Sequence, residues 1–146
     1  MTAPVRFDPH GWAAGQPDAA QLAELAGQGV RTVINLRAPG EAVDFDEPAQ
    51  VARLGMRYVA FPVTGAADLD AGRVRGFGAT LDEARRQGGV LVHCASSNRV
   101  GAMIALDEAL NRGRPLDAAL ERGRAAGLAT LEAAVIALVA SERPDA

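Results

Sequence analysis

The chain has 146 residues, of which 49% are hydrophobic and 23% charged, with a formal net charge of -3 at pH 7. All 15 basic residues are arginine, which excludes lysine-based Schiff-base chemistry and a Walker-type phosphate loop. The negative charge and scattered arginines argue against a nucleic-acid partner, and the apolar runs are too short for a membrane partner. The length and the hydrophobic fraction of the chain predict a single globular domain over residues 1–146.

Two further expectations follow from what the composition lacks. The first residues have no apolar core of a signal peptide, and one cysteine cannot form an internal disulfide, so we expect a cytoplasmic protein. With two histidines and one cysteine, no cluster has metal-ligand spacing, so we expect neither a metal nor another cofactor.

Helices and strands are predicted to alternate along the chain. The N-terminal segment with His10 and Trp12 is predicted to be irregular. Asp18 is expected to cap a helix that ends at the glycines Gly27 and Gly29. Residues 31–36 are predicted to form a buried strand.

Two further helix and strand units follow. A short helix is predicted to start at Glu47-Pro48 and to stop at Gly55. Residues 56–63 alternate as a strand, and Pro62 indicates an edge or a strand end. A longer helix is predicted over about residues 69–87.

The single cysteine follows a short apolar strand and precedes a helix. Residues 90–92 are predicted to form a buried strand and residues 100–110 have helical apolar spacing, which places Cys94 at a strand-to-helix turn. Backbone N–H groups of residues 95–99 would point into this turn, where the helix dipole favours an anion and a nucleophilic thiolate. Arg99 is expected to hold two oxygens of a phosphate, sulfate or thiosulfonate.

Residues 115–141 are predicted to form two helices joined near Gly127 that cover one flank of the sheet. The whole pattern indicates an α/β fold, with Cys94 at the carboxyl edge of the sheet, where ligands bind in open α/β sheets.

Four segments carry a resemblance to a known family: Gly15-Gln16-Pro17, Val33-Ile34-Asn35-Leu36-Arg37, Phe61-Pro62-Val63 and His93-Cys94-x4-Arg99 followed by Gly101. From about Gly15 to Leu110 the chain resembles the small phosphatase-like domain found alone or fused to beta-lactamase-like hydrolases, a member of the cysteine-phosphatase superfamily. The resemblance implies a dual-specificity-phosphatase-like fold, a central, mostly parallel four- to five-stranded sheet flanked by helices. It also implies catalytic Cys94 and Arg99 and an anion-binding loop of His93, Ala95, Ser96, Ser97 and Asn98.

The loop departs from the phosphatase pattern. Tyrosine and dual-specificity phosphatases have five residues between the cysteine and the arginine, whereas four separate Cys94 from Arg99, a length that also resembles rhodanese sulfurtransferases. Ser97 stands where related loops often have glycine. Val100 replaces the Ser or Thr that donates to the leaving thiolate. These differences weaken the phosphatase interpretation.

The resemblance implies a general acid from the loop before the longer helix, where Asp68 and Asp70 are the candidates. Either residue could instead be the N-cap of that helix, which is the interpretation we favour. A sulfurtransferase needs no such acid. Whether this loop supplies one therefore discriminates between a phosphatase and a sulfurtransferase.

Four further side chains have both a functional and a structural interpretation. Arg37 and Glu41 can line the pocket or form an exposed ion pair. Asn98 can brace the loop or only tolerate an unusual backbone angle. His93 is expected to be a packed strand-end residue that tunes the loop, rather than a proton shuttle.

Three functions stay open. The first is a cysteine-dependent phosphatase that hydrolyses a phosphorylated small molecule or protein through a phosphocysteine. The second is a sulfurtransferase that takes sulfane sulfur onto Cys94 as a persulfide. The third is a non-catalytic anion-binding or redox-sensing module. The oligomeric state is not predicted.

Overall fold

The computed structural model describes residues 3–41 and 43–143. The strands are β1 (Val5–Asp8), β2 (Gly11–Ala14), β3 (Val30–Asn35), β4 (Arg57–Ala60) and β5 (Gly89–His93). The helices are α1 (Ala19–Gly27), α2 (Glu47–Arg53), α3 (Ala71–Gln87), α4 (Asn98–Leu106), α5 (Leu116–Ala125) and α6 (Glu132–Glu142). A 3-10 turn over Ala66–Asp68 precedes α3, and a π-helical turn over Asp107–Asn111 continues α4.

The five strands form one sheet in the order β1-β2-β5-β3-β4. β1 is antiparallel to β2, and the other neighbouring pairs are parallel. β5 is the central strand, and Val90, Leu91, Val92 and His93 are fully buried, which explains its continuous apolar run. The predicted α/β fold with a mostly parallel sheet flanked by helices is confirmed.

Each face of the sheet carries its own layer of helices. Val33 and Leu91 pack with apolar residues of α1 and α2. Ile34, Val90 and Val92 pack instead with α3, α4, α5 and α6. Because side chains alternate between the two faces of a strand, His93 follows Leu91 towards α2, whereas Cys94 joins the opposite core.

The prediction of an irregular N-terminal segment was wrong. Trp12 lies in β2, where it pairs with Leu91 of β5, and His10 lies in the turn between β1 and β2. These strands have only four residues each, and a run that short carries little periodicity. β2 is defined by pairing with a strand far along the chain, which no local pattern reveals.

The predicted cap of α1 and the predicted end of α2 are confirmed. Asp18 caps α1, with its side chain accepting from the backbone of Gln21, and α2 ends just before Gly55. The strand predicted over residues 56–63 is shorter, because regular pairing ends at Ala60, two residues before Pro62. Among the described residues, no helix has the length and apolar character needed to span a bilayer.

Candidate active site

Cys94 follows the last residue of β5 and is fixed at the carboxyl edge of the sheet. Its backbone N–H donates to the carbonyl oxygen of Ala14 at 3.2 Å, which ties it to the end of β2. Its side chain is 0% exposed. The thiol therefore lies at the base of the strand-to-helix turn.

The loop after Cys94 presents a set of backbone donors. Among the described residues, the N–H groups of residues 95–99 donate to no protein acceptor. The carbonyl oxygen of Ala95 points away from this set and accepts from the N–H of Gln16 at 3.1 Å. A Cβ at Gly15 would lie 2.6 Å from that oxygen, so glycine permits the close approach. Amides at the start of α4 can thus bind an anion.

Ser97 holds the bend of the loop. It adopts a left-handed backbone conformation, with φ 73° and ψ -5°, the region that glycine occupies most easily. Its hydroxyl donates to the carbonyl oxygen of Ala126 at 2.6 Å. A Cβ at Gly127 would lie 2.6 Å from the Cβ of Ser97. The α5–α6 turn therefore supports the strained residue.

Asn98 braces the loop, and the unusual backbone angle belongs to its neighbour Ser97. The Asn98 side-chain amide donates to Thr130 Oγ1 at 2.7 Å. Its oxygen accepts from the N–H of Ala129 at 2.8 Å. The start of α4 is thus fixed to the turn that leads into α6.

Arg99 is held by a carboxylate and a backbone carbonyl. Its Nη1 and Nη2 donate to the two carboxylate oxygens of Glu41 at 2.7 and 2.8 Å, and Nη1 also donates to Val63 O at 3.0 Å. Its pKa is raised chiefly by the hydrogen bond to Glu41, against the effect of burial, and also by its interaction with Cys94. That interaction includes a hydrogen bond with the Cys94 side chain, so the guanidinium reaches the thiol while it stays paired with Glu41.

Arg37 and Glu41 form the predicted ion pair, whereas their place in the pocket of Cys94 stays a prediction, because the cavity that they line includes none of residues 93–99. They form an ion pair at 3.3 Å, but their side chains are only 10% and 26% exposed. Both line a cavity of about 240 Å³. The hydrogen bond from Arg99, with help from Ala38 and Arg37 and against the effect of burial, lowers the pKa of Glu41 to about 2. The Glu41 carboxylate is therefore ionised at neutral pH.

Sequence reasoning missed a buried pair behind the loop. His93 Nε2 lies 2.5 Å from Oε2 of Glu47, and the two side chains are 0% and 2% exposed. Gln16 donates to the other oxygen of Glu47 at 2.8 Å and accepts from Arg37. Burial acts to raise the pKa of Glu47, but the contacts with His93, Gln16 and Arg37 hold it below its usual value. His93 is packed as predicted.

In the sequence, Glu47 is recognisable only as an acidic residue in the first turn of a helix, a common position that does not indicate a buried partner. Its contact with His93 spans 46 positions of the chain. Gln16 belongs to a segment that carries the family resemblance, yet nothing in that segment indicates its partners.

The two candidate acids have different environments. Asp70 caps α3, because its side chain accepts from the N–H of Arg73 at 2.7 Å. Asp68 is not the cap. Its Oδ2 accepts from the N–H and the hydroxyl of Thr64 at 2.7 and 2.6 Å, and these bonds lower its pKa. The prediction that one of these two aspartates caps the helix is confirmed, and the cap is Asp70.

Comparison with known proteins identifies the family. The model of the phosphatase-like domain of beta-lactamase hydrolase-like proteins matches residues 8–111. The chain belongs to this family. The Beta-lactamase hydrolase-like protein of Xylella fastidiosa is 32% identical over 117 residues, which are 77% of this chain and 26% of that protein. This phosphatase-like domain thus spans about a quarter of the length of the curated relatives that it matches.

Solved structures similar to this phosphatase-like domain include a phosphotyrosine complex and a protein named Tk-PTP. A cysteine-to-serine form of TpbA from P. aeruginosa, in complex with phosphotyrosine, is 26% identical with a TM-score of 0.74, covering 94% of this chain and 82% of that one. The active form of Tk-PTP has a TM-score of 0.78 over 99% of this chain and 98% of that one. At 18% identity, the second match shows the fold alone.

Proposed function

We propose that this domain is a cysteine-dependent phosphatase that hydrolyses phosphate monoesters, phosphotyrosine included, through a phosphocysteine. The observation that carries the proposal is the turn itself. The thiol of Cys94 lies at the base of amides 95–99, which have no protein acceptor among the described residues, and the Arg99 side chain interacts with that of Cys94. The similarity to TpbA, solved with phosphotyrosine, supports the same class of substrate.

The chemistry has two steps. The Cys94 thiolate attacks phosphorus, an S–P bond forms, and the P–O bond to the leaving group breaks. The loop amides and Arg99 hold the non-bridging oxygens and stabilise the charge of the transition state. Water then attacks the phosphocysteine, the S–P bond breaks, and inorganic phosphate and the thiolate are released.

Asp68 is the better candidate for the general acid. Asp70 already caps a helix, whereas Oδ1 of Asp68 has no hydrogen-bond partner among the described residues. The bonds from Thr64 favour the ionised carboxylate. An approaching phosphate dianion acts in the opposite direction, because a nearby like charge disfavours ionisation. In this proposal Asp68 gives its proton to the leaving oxygen.

The length of the loop supports a second candidate function. With four residues between Cys94 and Arg99, the loop has fewer amides to bind a phosphoryl group and suits a single transferable sulfur. In a sulfurtransferase the thiolate attacks the outer sulfur of thiosulfate, the S–S bond breaks, and sulfite leaves. The persulfide then passes its outer sulfur to a thiol or to cyanide.

A paired assay separates the two candidates. Phosphate release from an aryl phosphate and thiocyanate formation from thiosulfate and cyanide are measured on the unmodified domain and on Cys94→Ser. Phosphate release that depends on Cys94 supports the phosphatase. Thiocyanate formation alone overturns it in favour of sulfur transfer, and two blank assays overturn both in favour of a non-catalytic module.

A further inference from the structure

The two edges of the sheet differ in how they are covered. At the β1 edge, the guanidinium of Arg122 donates to the carbonyl oxygen of Phe7 at 3.0 Å. At the opposite edge, β4 pairs only with β3 among the described residues. A strand with a neighbour on one side only presents a row of backbone N–H and C=O groups on the other. The β4 edge is therefore where another extended segment can pair.

The backbone groups that face outward from β4 belong to Tyr58 and Ala60. Phe61, directly after the strand, donates from its N–H to the carbonyl oxygen of Asn35 in β3 at 2.9 Å. Because successive residues of a strand point their backbone groups to opposite sides, those of Ala60 and Tyr58 point away from β3. Among the described residues, neither has a backbone hydrogen bond to any other segment. Donors and acceptors repeated every second residue match the backbone of an extended peptide and not a small phosphate ester.

A cavity lies beside this edge on each face of the sheet. On the face that carries α2, Tyr58, Ala60 and Pro62 line the cavity of about 240 Å³ described above. On the face that carries α3, Arg57 and Val59 line a second cavity of about 360 Å³. Side chains of an added strand alternate between the two faces of the sheet, so they would lie over the two cavities in turn.

The cavity on the α3 face is polar. Arg57 and Glu83 line it with their charged groups 4.0 Å apart, and both side chains are about half exposed. Thr32, which also lines it, is buried, and its hydroxyl has no hydrogen-bond partner among the described residues. We therefore expect this cavity to take polar side chains of a bound peptide.

The open edge leads to the candidate active site. Val63, three residues after β4, accepts from Arg99 through its carbonyl oxygen at 3.0 Å. Glu41, which pairs with Arg99, lines the cavity on the α2 face. In the sheet, β3 separates β4 from β5, so a strand added outside β4 would run about 14 Å from the line of β5. A phosphotyrosine side chain covers more of that distance towards Cys94 than phosphoserine or phosphothreonine does.

We propose that the outer edge of β4 binds the substrate as an extended phosphotyrosyl peptide, which adds to the sheet as a further strand. The inference rests on the proposed phosphatase function and adds that the substrate is a polypeptide. A second copy of this chain fits the edge less well, because β4 has only four residues, carries the exposed Arg57 and is followed by Pro62, features that limit pairing between folded copies. A phosphopeptide is also held by its phosphate at the loop after Cys94, so a short edge is sufficient.

The test measures two affinities of the Cys94→Ser protein: for a phosphotyrosyl peptide with several residues on each side, and for free phosphotyrosine. We expect the peptide to bind about tenfold more tightly or better. Ala60→Pro in the same background removes an outward N–H, and proline is compatible with an edge strand at such a position. It should abolish most of the peptide's advantage. Ala19→Pro is the matched control, because Ala19 is exposed and is the first residue of α1, where proline is tolerated. An advantage that survives in folded Ala60→Pro overturns the proposal.

A second measurement leaves the protein sequence unchanged apart from Cys94→Ser. Single N-methyl groups are placed along the peptide backbone, one residue at a time. On the side that pairs with β4, binding should weaken at alternate residues, because only alternate N–H groups face the neighbouring strand. Equal losses at successive residues, or a peptide that binds no more tightly than free phosphotyrosine, overturn the proposal. These results decide it even if Ala60→Pro fails to fold.

Sedimentation of the unliganded domain tests the other occupant of the edge. A monomer agrees with peptide binding, whereas a dimer that Ala60→Pro dissociates assigns the edge to a second copy and overturns the proposal.

Binding to Cys94→Ser does not depend on turnover, so this inference and the proposed function can fail separately. If the peptide binds in the alternating way but the unmodified domain releases no phosphate, the phosphatase proposal is lost and the peptide edge is kept. If the unmodified domain hydrolyses an aryl phosphate but the peptide gains nothing over free phosphotyrosine, the proposed function is kept and the peptide edge is lost.

Discussion

Arg99 and Glu41 form a two-bond pair, with Nη1–Oε2 and Nη2–Oε1 distances of 2.7 and 2.8 Å. Glu41 lies 58 positions earlier, in the loop that follows β3. The guanidinium is therefore fixed before any ligand arrives. A side chain ordered on folding loses little further rotamer freedom on binding, so under the proposed function the pair holds Arg99 ready for the phosphate.

Replacing Glu41 with Gln should weaken catalysis without removing the nucleophile. Gln can keep only one of the two bonds to Arg99, and a misplaced guanidinium should lower kcat/KM for an aryl phosphate by about tenfold. Steady-state kinetics give the measurement. Glu83→Gln is the matched control, because Glu83 pairs with Arg86 at 2.9 Å on the exposed face of α3. Equal losses in the two variants would show that Glu41 has no special role.

The same pair predicts how stability depends on pH. The folded pKa of Glu41 is about 2, against an ordinary value of 4.5, so its stabilisation is complete above pH 4.5. It is lost as pH falls towards 2, because the unfolded state then binds the proton first. We expect the free energies of unfolding of the unmodified domain and of Glu41→Gln to differ by a constant amount near neutral pH and to converge in acid. Denaturant titrations from neutral pH to acid measure this difference in the free energy of unfolding. A difference that is the same at neutral and at acid pH contradicts a lowered pKa of Glu41.

The two aspartates before α3 should respond differently to the same substitution. If Asp68 protonates the leaving oxygen, Asp68→Asn should slow a phenyl phosphate with a basic leaving group by about 100-fold or more. A nitrophenyl phosphate needs little protonation and should be affected far less. Asp70→Asn should change both rates by less than about twofold, since asparagine keeps the cap. A loss that is independent of the leaving group in Asp68→Asn excludes the acid role.

A glycine in α4 should be far less tolerant of alanine than one in α3. A Cβ at Gly101 would lie 2.0 Å from Leu128 N and 2.6 Å from Gly123 O, so Gly101→Ala should destabilise the fold by about 3 kcal/mol or more. At Gly76 the nearest contact is the ring of Phe61 at 3.6 Å, and alanine there should stabilise α3 by about 0.5–1 kcal/mol. Chemical denaturation of both variants gives the comparison. Similar stabilities would mean that α4 and α5 are not packed this closely.

The parts of this fold that sequence analysis predicts are those fixed by near neighbours. Asp18 caps α1 through a residue three positions away, and Asp70 caps α3 in the same way. The placement of Cys94 between a strand and a helix follows from the apolar pattern on each side of it. Such local interactions leave a recognisable order of residue types in the chain.

The interactions that complete the site are distant in sequence. The partners of His93 and of Arg99 lie 46 and 58 positions earlier, and no spacing rule connects them. The left-handed residue is Ser97, which the α5–α6 turn supports through Ala126. A serine in that conformation leaves no local signature, because the support comes from a different part of the fold.

The order of the strands also has a consequence for biosynthesis. β5 is the last strand of the described residues, yet it lies between β2 and β3 in the sheet. Until residues 89–93 have emerged from the ribosome, the N-terminal hairpin and the β3–β4 pair have nothing to join them, and their inner edges stay open to wrong partners. Because Cys94 directly follows this closing strand, its thiol reaches the strand-to-helix turn in the same event that completes the sheet.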